Sequence, residues 1–119
     1  MIQYIISRAR KNNAVKVRKK DTRTGKIVDL TPYRSQEVWN HSLDGFEFGY
    51  VGSGPSQLAL AILLDHIGLS IMAVKHHNQF LWDFIGTMDN AGGTITSEQI
   101  QEWLLKQENG VPVETEEPS

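Results

Sequence analysis

The chain is 119 residues long, with 39% hydrophobic and 22% charged residues and no cysteine. This length predicts one globular domain that buries a core, and the lack of cysteine excludes disulfides, thiolate metal sites and cysteine nucleophiles. No stretch is long and apolar enough to span a membrane, and residues 1–8 lack the charge-then-apolar order of a signal peptide. We therefore expect a cytoplasmic protein.

Charge is divided unequally along the chain, although the formal net charge is only -2. Residues 1–37 carry ten Lys and Arg against three Asp and Glu, a net +7, whereas residues 38–119 carry two against eleven, a net -9. Such a division favours a basic surface that meets a polyanion, or a partner protein of opposite charge pattern. The alternative is that the two parts fold against each other and each charge is simply solvated.

The first 30 residues predict three strands. Residues 2–7 are rich in β-formers, 14–18 alternate apolar and basic, and 26–30 resume an extended run after a turn at 21–25. The alternation directs basic side chains to solvent. We expect an anion-attracting surface formed by Lys16, Arg18, Lys20 and Arg23.

A fourth short strand and three helices are predicted farther along. Residues 46–51 alternate again, and 56–67 are apolar nearly all round, which is typical of a buried central helix that Gly68 ends. A second helix is predicted from 71 to about 85 after a Ser70 cap, and a third after the Thr-x-x-Gln capping box at 96–99.

These elements predict an α+β fold with a small N-terminal antiparallel or mixed sheet of three or four strands followed by three helices. We expect a single compact domain over residues 1–106. Residues 107–119 contain four Glu and two Pro without an apolar period, so we expect an acidic disordered tail there.

The turn that precedes the central helix is the candidate binding site. Glycines let a ligand approach the backbone closely, and the first amides of a helix attract phosphate or carboxylate. Neither a dinucleotide fingerprint, which would need glycine at Gln57, nor a P-loop is present. The alternative is that the glycines only permit a tight turn. The predicted ligand-binding residues of this turn are Gly52, Ser53, Gly54, Ser56 and Gln57.

Residues 40–61 also carry a longer motif. Its parts are Asn40-His41-Ser42, Gly45-Phe46-Glu47-Phe48-Gly49-Tyr50 and Gly52-Ser53-Gly54-Pro55-Ser56-Gln57-Leu58-Ala59-Leu60-Ala61. This motif resembles the hallmark block of a family of small bacterial, archaeal and phage proteins of unknown function, and departs from it at Leu43, Phe48, Val51 and Ser56. The resemblance implies a prokaryotic or phage origin, and thus the host cytoplasm for a phage protein. It adds Asn40, His41 and Tyr50 to the predicted ligand-binding residues.

We predict a non-enzymatic binding protein for an anionic ligand, namely a nucleotide, a cyclic nucleotide or a nucleic-acid phosphate. The phage origin implied by the resemblance would make it a counter-defence protein that sequesters a signalling nucleotide. One alternative is a protein–protein inhibitor or adaptor of a host or defence protein, in which the glycine turn is purely structural. Another is a small hydrolase with Glu47 as general base and His41 as acid.

No cofactor and no metal site are expected. His76 and His77 are adjacent, so on a helix their side chains point about 100° apart and do not converge on one ion. A homodimer is compatible with the sequence, because a two-fold axis enlarges a shallow site by sharing it between two copies.

Overall fold

The computed structural model describes the backbone of residues 1–116 and the side chains of residues 1–108. Its sheet contains β1 (Ile2–Arg8), β2 (Val15–Asp21), β3 (Ile27–Asp29) and β4 (Gly93–Thr96) in the order β3-β2-β1-β4. All three pairs of neighbouring strands are antiparallel. The helices follow the first three strands, which confirms the predicted α+β fold.

The fourth strand is not the predicted one. Residues 46–51 form bends and irregular backbone, and Gly49 has a φ of +90°, which is incompatible with an extended strand. The Gly49 amide donates to the carbonyl oxygen of Ile85 at 2.9 Å, so this segment binds to the end of a helical region instead of to the sheet. The actual fourth strand, β4, pairs with β1 from Gln3↔Thr96 to Ile6↔Gly93.

The helical elements are α1 (Tyr33–Val38), α2 (Ser53–Ile67), α3 (Ser70–Phe80) with a π-helical turn over Leu81–Ile85, and α4 (Ser97–Glu116). The short helix α1 was not predicted from the sequence. The Ser70 cap is wrong, since Ser70 is already helical and the extended residue before it is Leu69. The predicted boundary at 106 falls inside α4, and the predicted acidic tail lies mostly outside the residues whose side chains are described, so the domain division stays a prediction.

Two predicted helix signals are confirmed by hydrogen bonds. Thr96 and Gln99 form a reciprocal capping box, in which the Thr96 amide donates to Gln99 Oε1 at 2.9 Å and the Gln99 amide donates to Thr96 Oγ1 at 3.1 Å. Gly68 ends α2 in the left-handed conformation, with a φ of 82°, and its amide donates to the carbonyl oxygen of Leu64.

The core lies between one face of the sheet and α2. The helix α2 packs against α1, α3 and the π-helical turn, and ten of its fifteen residues are buried, so it is the predicted buried central helix. None of the helices within the described residues is both long and apolar enough to cross a membrane. The inward-facing side chains of the sheet are Tyr4, Ile6, Val17 and Ile95.

A polar contact joins the sheet to α2 at the edge of this core. The Tyr4 hydroxyl donates to Asp65 Oδ2 at 2.6 Å, and Lys19 Nζ lies 2.8 Å from the same oxygen. Burial raises the pKa of Tyr4 far above its ordinary value, and the hydrogen bond to Asp65 and the charge of that carboxylate raise it further. The folded protein therefore keeps the Tyr4 proton under conditions in which the unfolded chain releases it.

This difference predicts a loss of stability in alkali. Below the pKa of about 10 of a tyrosine in the unfolded chain, both states bind the Tyr4 proton, so the contribution of Tyr4 to the free energy of unfolding is constant. Above this pKa only the folded state keeps the proton. The free energy of unfolding should then fall by up to about 1.4 kcal/mol per pH unit.

Urea denaturation between pH 8 and 11 measures this slope. Tyr4→Phe should cost about 1–2 kcal/mol at pH 8 and flatten the alkaline slope. An equal slope in the variant and the wild type would contradict the assignment.

Candidate functional site

The side chain of Gln57 holds the loop that precedes α2. Gln57 is fully buried, and its Oε1 accepts hydrogen bonds from the amides of His41 and Ser42 at 2.7 and 3.0 Å. Its Nε2 donates to Ser35 Oγ at 2.9 Å and to the carbonyl oxygen of Trp39 at 3.1 Å. Both side-chain amide protons of Gln57 and both acceptor positions of its oxygen are thus used within the protein. This predicted ligand-binding residue instead holds the loop in place.

Close packing requires a glycine at position 54 of the turn. A Cβ atom on Gly54 would lie 2.7 Å from Glu47 Cβ and 3.2 Å from the Glu47 backbone nitrogen. A Cβ atom on Gly52 would lie 2.8 Å from the Tyr50 ring, but Tyr50 is 51% exposed and its ring can turn away. Neither glycine has a positive φ. Packing therefore accounts for Gly54, as in the structural alternative for this turn, and does not by itself account for Gly52.

A cavity of about 450 Å³ lies in front of the first turn of α2. Three of the predicted ligand-binding residues, Tyr50, Ser53 and Gly54, line it together with side chains from the preceding loop. The other predicted residues lie elsewhere. Gly52, Ser56, Gln57, Asn40 and His41 are not part of the cavity lining.

The charge of this cavity does not match an anionic ligand well. Asp44 and Glu47 lie in its wall, and no Lys or Arg of the described residues lines it. Glu47 Oε1 accepts a hydrogen bond from Arg8 Nη2 at 2.8 Å, and the Arg8 guanidinium also stacks on the Phe48 ring at 4.3 Å. Arg8 therefore offsets one of the two carboxylates, and the other remains to oppose a phosphate.

The predicted basic surface lies on the other side of the sheet from the core. Along β2, Val15 and Val17 point inward, whereas Lys16, Arg18 and Lys20 point outward in a row. Lys16 and Arg18 are exposed and Lys20 is half-buried. Arg23 lies in the turn after β2, where its Nε is 3.9 Å from Asp21 Oδ1.

The neighbours of this row are mostly uncharged. On β1, Ser7, Ile5 and Gln3 lie opposite Lys16, Arg18 and Lys20 respectively. On β3, Arg18 lies opposite Asp29 and Lys20 opposite Ile27. The row is thus a strip of positive charge beside a neutral strand, on a sheet face without a covering element among the described residues.

A histidine pair that the sequence did not reveal lies beside the Gln57 loop. His41 Nε2 is 3.0 Å from His77 Nε2, and the Trp39 ring stacks on His41 with a centroid separation of 4.4 Å. Burial lowers the pKa of both histidines, and the neighbouring imidazole lowers that of His41 further. The two residues are 36 positions apart, so no local spacing signals their contact.

The remaining histidine and carboxylate candidates are separate from each other. His76 Nε2 contacts Glu108 Oε2 at 2.7 Å, on the side of α3 that faces α4. Glu47 binds Arg8, whereas the His41 ring faces His77, so the general acid and base of the hydrolase alternative share no described contact. Among the described residues, no group of three or more His, Cys, Asp or Glu is placed to hold a metal ion.

Removal of the Gln57 side-chain amide should destabilise the loop. Gln57→Leu leaves the half-buried amides of His41 and Ser42 without their acceptor, which should lower the free energy of unfolding by about 1–3 kcal/mol. Ser53→Ala, at an exposed position of the same helix, should change it by less than about 0.5 kcal/mol. Chemical denaturation gives both values, and amide hydrogen exchange should accelerate at His41 and Ser42. A Gln57→Leu protein as stable as the wild type would refute this role.

Comparison with known proteins identifies a family. No curated protein matches the chain, and no solved structure matches it. The model of a family of unknown function (DUF6166) matches residues 8–106, a range that includes β2, the Gln57 loop and α3. The chain therefore belongs to this family of unknown function.

Proposed function

We propose that the protein is a non-enzymatic binding protein for a polyanion, and that it contacts the phosphates of a nucleic acid through the outer face of its sheet. The observation that carries this proposal is the row of Lys16, Arg18 and Lys20 on one exposed face of β2. Successive cations of such a row are two residues apart and therefore about 6.6 Å apart along the strand. A phosphate backbone carries closely spaced charges along a line, which a linear array of cations complements.

The neighbouring side chains favour contact with phosphates over contact with bases. The outward residues of β1 are Gln3, Ile5 and Ser7, and those of β4 are Thr94 and Thr96, so neither strand presents an aromatic ring on this face. Base recognition on single strands commonly uses aromatic stacking, and phosphate contacts carry little sequence information. The proposed binding is consequently weak in sequence preference and strongly dependent on salt.

The distribution of charge along the chain supports the same orientation. The strands that form the outer face belong mainly to the part of the chain with a net charge of +7, and α2, α3 and α4 belong to the part with a net charge of -9. A polyanion is attracted to the first part and repelled by the second. The sheet is therefore the side that should face a nucleic acid on encounter.

Charge reversal on the sheet tests this proposal. Lys16→Glu with Arg18→Glu should weaken binding of a labelled DNA or RNA 20-mer at least tenfold in fluorescence anisotropy, and should reduce the slope of log K against log salt by about 2. Lys75→Glu with Lys106→Glu is the matched control, because it makes the same change of charge at exposed positions of α3 and α4. Salt-independent binding by the wild type, or an equal loss in the control, would reject the proposal.

The cavity in front of α2 supports a nucleotide as a second candidate ligand. Its volume of about 450 Å³ lies within the range of about 300–1,000 Å³ that is usual for small-molecule sites. No side chain caps the first turn of α2, and no acidic residue lies in that turn. Because Asp44 and Glu47 oppose added negative charge, a cyclic nucleotide with one negative phosphate would suit the cavity better than a triphosphate. Such a ligand would agree with a phage counter-defence protein that sequesters a signalling nucleotide.

A panel of nucleotides and cyclic nucleotides tests this second candidate by thermal shift. Ser53→Asp should leave the free protein folded, because the favourable interaction of its carboxylate with the helix dipole offsets repulsion from Asp44 and Glu47 in the same cavity. The same carboxylate should repel a phosphate and abolish any ligand-induced shift. The variant with Lys16→Glu and Arg18→Glu should retain the shift. A panel without any shift, or a shift that survives Ser53→Asp, would exclude a nucleotide at this place.

A further inference from the structure

The contact between His41 and His77 brings two imidazole nitrogens together. His41 belongs to the loop after α1, and His77 belongs to α3. Their Nε2 atoms are 3.0 Å apart. We infer that these two residues form a binding site for a divalent copper or nickel ion, which is distinct from both the outer sheet face and the cavity in front of α2.

His77 has the orientation of a metal ligand. Its Nδ1 lies 2.7 Å from the carbonyl oxygen of Val74, which can only accept a hydrogen bond, so Nδ1 carries the proton. In the neutral ring Nε2 is then left with a free electron pair, and this pair is on the side of His41. Histidines that bind metals usually donate their other ring N–H to a carbonyl or carboxylate, which fixes the tautomer and the ring. His77 is only 5% exposed, so its ring has little freedom to turn away.

His41 is held in place by neighbours on two sides. Its backbone amide is bound to Gln57 Oε1 at 2.7 Å, and its ring stacks on Trp39. Since His77 Nε2 accepts, His41 Nε2 carries the proton of the contact between the two rings. Metal binding requires that this proton leave Nε2 and that a proton be taken up at Nδ1, so that His41 stays neutral and both Nε2 atoms become ligands.

The ligand type indicates the kind of metal. Imidazole nitrogens bind Zn²⁺, Cu²⁺ and Ni²⁺, and the affinity of a given site generally rises from Ni²⁺ to Cu²⁺ and is lower again for Zn²⁺. The 3.0 Å separation is the length of the hydrogen bond between the two rings. It lies between the separations of about 2.9 Å for two positions at 90° and about 3.3 Å for two tetrahedral positions, so the rings need to move little to share an ion.

The site lies near the surface, because Trp39, which stacks on His41, is 49% exposed and His41 itself is half-buried. Entry of an ion therefore requires a shift of side chains at the surface and not an opening of the core. The two imidazoles occupy two positions of such an ion, and water occupies the others. The proximity of Trp39 gives the site an internal reporter, because a bound Cu²⁺ ion quenches a tryptophan that lies beside it.

Titration of the metal-free full-length chain with CuCl₂ or NiCl₂ alone tests the inference. We expect one equivalent of Cu²⁺ to bind in calorimetry, to quench tryptophan fluorescence and to show two nitrogen ligands in electron paramagnetic resonance. His41→Gln and His77→Gln should each weaken binding at least tenfold. Trp39→Phe should retain the calorimetric binding and lose most of the quenching, which locates the ion.

A control variant separates this site from His66. His66→Gln is the matched variant, because His66 contacts Gln101 and no second imidazole, and it should bind Cu²⁺ as the wild type does. If His77→Gln does not fold, His41→Gln decides, since His41 lies in a surface loop. Unchanged binding in His41→Gln, or a loss in His66→Gln, would overturn the inference. Zn²⁺ binding tighter than Cu²⁺ binding would overturn the assignment of the metal.

Discussion

The buried amide of Gln57 is the constraint on which the loop side of the molecule depends. It is the one buried polar side chain of α2. It binds three successive parts of the chain, namely α1 at Ser35, Trp39 just after α1, and the loop at His41 and Ser42. A buried amide is stable only when its donors and acceptors are satisfied. The loop must therefore adopt the path that satisfies Gln57, and this path sets the places of the His41 ring and of Ser42 at the cavity rim.

The segment that resembles a family hallmark is explained largely by this architecture. Gly52 and Gly54 leave room for the Tyr50 ring and for Glu47, and Gly49 turns the chain with a positive φ. Glu47 in turn binds Arg8 at the end of β1, so the same segment joins the loop to the sheet. The same residues could be needed to fold the turn or to bind a ligand. The motif alone therefore could not distinguish a ligand-binding turn from a purely structural one.

Local patterns in the sequence were sufficient for the elements that local interactions determine. The alternation of β2, the apolar run of α2 and the capping box at Thr96 and Gln99 each depend on residues within a few positions, and all three are present. The strand β4 has only four residues, and what makes it a strand is its pairing with β1, about ninety residues earlier. Residues 46–51 alternate like a strand but have no strand partner, because Gly49 turns them toward Ile85. The contact of His41 with His77 likewise depends on tertiary packing.

The alternation of β2 places its basic side chains in two different environments, one facing the core and the other facing solvent. Lys19 faces inward and binds Asp65 beside Tyr4, so packing accounts for it. Lys16, Arg18 and Lys20 face outward, and within the described residues they form no salt bridge. Three like charges on one face of a strand repel one another and add nothing to the core. A shift of the register by one residue would bury them, so the apolar face of β2 fixes their position. Asp29 on β3 lies opposite Arg18 and offsets part of this repulsion, so the positive charge that remains is a property of the surface and not of the core.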